Sequence, residues 1–155
     1  MTTITDRDPA QTERLLRFHQ PEMLLRQLGP LDEPVLAALF GTDAGEYRGR
    51  QERFEERNRE AAARLSAGPD APSRIAALPF RPGEHVVALG ESTTADRLSW
   101  FEILRHLLPD GVRCTHPAVS PVPCFQRPDW VLRMLGANDV QRIDRTPLVA
   151  FAEAC

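Results

Sequence analysis

The chain contains no lysine: all 19 of its basic residues are arginine, set against 22 acidic ones for a net charge of −3. That balance leaves no basic field for nucleic acid or an anionic membrane surface. With so much alanine, proline and glycine alongside, arginine in place of lysine reads as the coding bias of a GC-rich genome rather than as a phosphate-binding design. Cysteine is scarce. Cys114, Cys124 and Cys155 are three, an odd number, with no Cys-x-x-Cys pair. This excludes a disulfide framework and a thiolate metal cluster, and it fits free thiols in a reducing compartment. Long apolar runs are missing too. A stretch such as VVAL at 86–89 is far too short to span a bilayer, and MTTITDRDPAQTER at the start has no apolar leader segment, so a cytoplasmic address is expected. Neither Gly-x-Gly-x-x-Gly nor Gly-x-x-x-x-Gly-Lys-Ser/Thr occurs, which removes the usual nucleotide cradles, and no internal repeat is present.

What remains is a soluble composition of one-domain length, 155 residues with 42% hydrophobic and 26% charged. Two parts are expected, a helical extension over 1–80 and an α/β unit over 81–155. Within the first, 12–27 carries Leu15, Leu16, Phe18, Met23, Leu24 and Leu25, interrupted by Pro21, and reads as two short helices or one kinked there. Asp32 is a plausible cap for a helix over 33–40, with Gly41 as its stop. The longest helix is expected at 43–66, with Tyr47, Phe54, Ala61, Ala62 and Leu65 as a narrow stripe on a charged rod. That stripe fits packing on the neighbouring unit better than a coiled coil, which needs more sustained heptads.

The second part opens at Pro82-Gly83, a turn signal. HVVAL at 85–89 reads as a buried parallel strand, GESTT at 90–94 as a polar loop, 98–108 as a helix, and 112–115 and 129–135 as two further strands. Strand, glycine loop, helix, strand is the order of a parallel α/β sheet. In such sheets sites form where loops leave the carboxyl ends of strands. Two loops qualify. In Gly90-Glu91-Ser92 the glycine is expected to allow a sharp turn, putting Ser92 at a helix N-terminus whose amides and dipole favour developing negative charge. In Gly136-Ala137-Asn138-Asp139 an amide side chain offers a second donor. A hydroxyl and an oxyanion donor on adjacent strand ends are the minimum for acyl transfer. Taken singly, each has a blander reading: a serine there commonly just caps a helix, and Gly-x-Asn-Asp commonly just makes a turn.

Together, VVALGESTTADRLSWFEILRHLLPDG and PDWVLRMLGANDVQRI resemble the first and third sequence blocks of SGNH (GDSL-type) hydrolases. The helical extension is similar to that of actinobacterial members. The resemblance implies a flavodoxin-like three-layer α/β/α fold and an esterase- or lipase-type hydrolase acting on a small ester or acyl substrate, without metal or cofactor. Ser92 would be the nucleophile. The Ser92 N–H, the Ala118 N–H and the Asn138 side chain would form the oxyanion hole, and Gly90, Glu91, Gly136 and Asp139 would support the loops.

The sequence departs from that pattern in several places. Glu91 stands where the family has Asp. The second block maps onto HPAVSP at 116–121, with Ala118 at the glycine position and Pro121 lacking an N–H. Only six residues, 122–127, separate it from the third block, too few for a right-handed crossover, so either the topology changes there or the segment has been lost. The family's later strands and Asp-x-x-His have no counterpart, so the domain is expected to be incomplete, with His116 as the one loop histidine available as a base. Two readings therefore stand: a serine hydrolase, or a non-catalytic remnant or interaction module of the same origin. A sheet of three strands would also leave an exposed edge, which favours self-association.

Overall fold

The computed structural model describes residues 8–21, 29–115 and 127–134. Among the described residues four helices come first: α1 Pro9–Phe18, α2 Glu33–Leu39, α3 Ala44–Ser66 and α4 Ala71–Ala76. An α/β segment follows as β1 His85–Gly90, α5 Ser92–Ala95, α6 Trp100–Arg105, β2 Arg113–Thr115 and β3 Trp130–Met134. The protein is thus a mixed α/β chain with a three-stranded sheet in the order β2-β1-β3. Both pairings are parallel, with Val86 opposite Cys114 on one side and Trp130 on the other. The passage from β2 to β3 carries the chain from one edge of the sheet to the other. Residues 116–129 make that connection, enough for a crossover once the whole segment is counted.

Helix ends follow their capping chemistry. The Asp8 carboxylate accepts from Ala10 N at 3.1 Å with Pro9 just inside the helix, and α1 ends at His19, before Pro21. The rest of the expected 12–27 segment lies outside the described residues. Asp32 occupies the cap position of α2 without a side-chain bond, and Gly41 closes the helix at φ 68°. Asp43 caps α3 through Glu46 N at 2.8 Å. The Thr42 hydroxyl and then Arg50 hold the Glu46 carboxyl below its ordinary range. That contribution is therefore present at neutral pH and lost as pH falls through the lowered value.

The buried face of α3 is Tyr47, Arg50, Phe54, Asn58 and Ala62. The expected stripe is right for Tyr47, Phe54 and Ala62, but Leu65 is exposed, and two polar residues fill the gaps. Arg50 donates to the Pro9 carbonyl at 3.1 Å and to Glu46, and Asn58 donates to the Arg97 carbonyl at 2.8 Å. Buried polar groups persist only when paired in this way.

Two apolar clusters result. One joins Leu16, Leu36, Ala37, Phe40, Tyr47 and Phe54, with Leu98 packed against it. The other joins Phe80, Val86, Ala88 and Phe101, flanked by Trp100, Trp130 and Leu132. Leu98 joins the first cluster, and Leu78 and Phe80 the second, from across the expected 80/81 boundary, so the helical and sheet parts interlock. The Arg105 guanidinium, on α6, adds a surface tie, reaching Glu55 at 2.6 Å and Glu102 at 3.1 Å.

The helix expected at 98–108 is reduced to Trp100–Arg105, since neither residues 96–99 nor 106–108 are helical. Asp96 turns its carboxylate onto Leu98 N at 2.9 Å, and Ser99 caps a new start by accepting from Glu102 N at 3.2 Å. Ser99-Trp100-Phe101-Glu102 has the Ser-x-x-Glu form of a capping box. Ser99→Ala is expected to cost about 1 kcal/mol, a fall in melting temperature of roughly 2–4 °C by calorimetry.

Candidate functional site

At its carboxyl end β1 leads straight into Ser92. Gly90 is the last strand residue, Glu91 sits at the cap position with φ −85°, and Ser92 is the first residue of α5 and is exposed. The Glu91 carbonyl accepts from Thr94 N at 2.9 Å and Ala95 N at 3.1 Å, and the Ser92 carbonyl from Asp96 N at 3.0 Å. The amides of Ser92 and Thr93 are therefore the ones that the Glu91 carbonyl leaves unused.

Two parts of the sequence expectation change. Gly90 has no positive φ, so a left-handed turn is not what requires glycine. A Cβ there would lie 2.0 Å from Thr94 Oγ1 and 2.6 Å from Thr94 Cβ. Glycine is needed because α5 folds back onto the strand end. And α5 is a single turn of 4 residues, so its dipole is small and any anion stabilisation must come from individual amides.

Thr94 is buried and its hydroxyl accepts from Trp100 Nε1 at 3.1 Å. Just beyond, α1 clamps the chain. Arg17 Nε donates to Asp96 Oδ1 at 3.1 Å, and its Nη2 pairs with Oδ2. The Arg17 carbonyl accepts from Arg97 N, the Leu16 carbonyl accepts from Arg97 Nε at 3.0 Å, and Gln20 Nε2 reaches the Ala95 carbonyl at 2.7 Å. The Asp96 carboxylate bond raises the Arg17 pKa, so this guanidinium stays charged at any working pH. The helical extension thus grips residues 95–97, three positions past Ser92, a role the sequence carries no local sign of.

Register fixes what lies beside the serine loop. Gly90 pairs with Met134, the last residue of β3. On the other flank β2 ends level with Val87, three residues short of Gly90. Gly136, Asn138 and Asp139 follow β3 in sequence, and His116 and Ala118 follow β2. All five lie outside the described residues, as do Pro121, Cys124 and Cys155.

The described histidines are engaged elsewhere. His85 is buried at the opposite end of β1, with Nε2 3.0 Å from Thr115 Oγ1, about 16 Å of strand away from Gly90. His106 Nε2 lies 3.3 Å from Glu55 Oε1, and His19 Nδ1 faces the Leu15 carbonyl at 3.1 Å. Burial pushes the Cys114 thiol up, which keeps it protonated and unreactive near neutral pH. Among the described residues no group of three or more His, Cys, Asp or Glu could hold a metal ion, and no helix is long and apolar enough to cross a membrane. Compared with family models, curated proteins and solved structures, the chain matches none.

Proposed function

We propose that the chain is a serine hydrolase of the SGNH type acting on an ester or acyl bond, with Ser92 as nucleophile. The observation that carries this reading is the pairing of Gly90 with Met134. It sets the strand end that leads into the exposed serine turn beside Met134, the last described residue before Asn138 in sequence, on neighbouring strands about 4.8 Å apart. The order β2-β1-β3 supports the flavodoxin-like form of the fold, because sheets of that class open in this order and bind at the carboxyl ends of their first and third strands.

In this mechanism Ser92 Oγ attacks the acyl carbon. The oxyanion accepts hydrogen bonds from the Ser92 N–H, the Asn138 side chain and the Ala118 N–H. The leaving alcohol departs with a proton, and water then hydrolyses the acyl-serine. His116, the first residue after β2, is the base available in this chain to take the serine proton. No cofactor is required.

Labelling of the purified chain with a fluorophosphonate probe tests the reading. The adduct is expected on Ser92 by peptide mass spectrometry, abolished by Ser92→Ala and slowed by His116→Ala. A folded chain that takes no label rejects the hydrolase. It also selects the non-catalytic module, a reading favoured by the engagement of His19, His85 and His106 away from Ser92.

A further inference from the structure

We infer that Trp100 is the positioning residue of the Ser92 turn: its indole N–H holds Thr94 and so fixes the backbone that presents the serine hydroxyl. Its effect on the chemistry rests on the hydrolase reading above; its anchoring of the turn does not.

A turn of 4 residues does not hold its shape alone. The first turn of a helix fixes several dihedral angles for one hydrogen bond, which makes isolated turns unstable in water. Within α5 and its end, Thr94 N and Ala95 N donate to the Glu91 carbonyl and Asp96 N to the Ser92 carbonyl. Ser92 and Thr93 are both exposed, so the residues on either side set their position. Before them, Gly90 is held in the sheet by its pairing with Met134. After them, Thr94 is buried. Ser92 stands two residues from each of these points and is placed only as firmly as they are.

Trp100 fixes the second point. Its Nε1 donates to Thr94 Oγ1 at 3.1 Å. The same oxygen lies against Gly90, where a Cβ would come within 2.0 Å of it. The Thr94 hydroxyl is thus closed between the end of β1 and the indole. Trp100 is itself well anchored. It opens α6, whose start is set by the Ser99 cap on Glu102 N. Its ring meets Phe101 edge-on, with centroids 5.5 Å apart, and packs against the cluster of Phe80, Val86 and Ala88. A line of contacts therefore runs from the sheet core through the indole and Thr94 to the serine. The grip of α1 on residues 95–97 acts past the end of the turn, whereas Trp100 acts within it.

Hydrogen exchange read by mass spectrometry tests the anchoring, and the fluorophosphonate probe tests its consequence. Trp100→Phe keeps a ring and removes the donor. The amides of residues 94–96 are expected to exchange about fivefold faster, the equivalent of one neutral hydrogen bond, with those of 50–60 in α3 unchanged. A general loss of stability would not single out 94–96. The labelling rate of Ser92 at saturating probe is expected to fall about tenfold, with the half-saturating concentration unchanged. Thr94→Val keeps the side-chain shape and removes the acceptor. It is expected to match both changes, and it stands in should Trp100→Phe fail to fold. Thr94→Ser keeps the acceptor and is expected to label faster than Thr94→Val. The double variant Trp100→Phe/Thr94→Val should label no more slowly than the slower single variant, because both break the same bond. Unchanged exchange at 94–96 overturns the anchoring. Parental labelling rates in the single variants, or losses that multiply in the double variant, overturn the positioning role. A parent that takes no label, with exchange still responding, rejects the hydrolase and leaves Trp100 as the anchor of the turn.

Discussion

Gly90→Ala is expected to destabilise the protein by about 3 kcal/mol, the upper part of the range for overpacking, lowering the melting temperature by roughly 6–12 °C. The added Cβ would sit 2.0 Å from Thr94 Oγ1, 2.6 Å from Thr94 Cβ and 3.0 Å from the Met134 carbonyl oxygen. Rotating Thr94 about χ1 would move its hydroxyl and methyl but not its Cβ, and would give up the bond to Trp100 Nε1. The Thr94 Cβ and the Met134 carbonyl are fixed by backbone. Relief therefore requires α5 to lift off the strand end or β3 to separate from β1, and either displaces Ser92. Gly68→Ala supplies a control, since its nearest neighbour would be 3.4 Å away, an ordinary contact. Its effect is expected to stay within about 0.5 kcal/mol. Adding Thr94→Gly to Gly90→Ala should recover part of the loss, despite about 1 kcal/mol for glycine in a helix. A Gly90→Ala protein that melts with the parent would show that α5 does not pack on β1 in this way.

How far these features can be read from sequence depends on the range of the forces that make them. β1 was legible because burial on both faces leaves a continuous apolar signature, as in residues 85–89. So was α3, where Asp43, the stripe and the charged faces agree. Asn58 and Arg50 were not legible as core residues. A polar side chain is buried only if a partner arrives, and theirs are the carbonyls of Arg97 and Pro9, 39 and 41 residues away. The interruption at 96–99 was hidden for the same reason. Leu98, Phe101 and Leu104 keep helical spacing, yet Asp96 is held by Arg17 from 79 residues off. At the site, glycine at 90 was legible but its cause was not. The cause is contact with a buried threonine four residues on, which no turn rule encodes.

Asp96 carries the second large effect. Its carboxylate, 10% exposed, accepts both from Arg17 and from Leu98 N. Asp96→Ala removes a cap on the loop and strands a partly buried guanidinium. Breaking a fully buried pair costs about 3–5 kcal/mol; with the Arg17 side chain 32% exposed and partly solvated, about 2–3 kcal/mol is expected here. Asp96→Asn keeps an acceptor for Leu98 N and Arg17 Nε but loses the charge and the second oxygen that accepts from Arg17 Nη2, so about 1–2 kcal/mol is expected. Arg17→Ala should fall between them, and the double variant Arg17→Ala/Asp96→Ala should lose less than the sum, with a coupling of about 1–2 kcal/mol. Chemical denaturation at neutral pH measures all four. Additivity of the two single losses would mean that the pair contributes nothing and that packing alone holds α1 against residues 95–97. A clear coupling would mean that the extension is fastened by charge to the segment three residues beyond Ser92. Under the hydrolase reading, the same variants should then slow probe labelling of Ser92 at temperatures where the protein is still folded. In that case the helices before β1 belong to the working unit of the serine loop and are not an appendage to it.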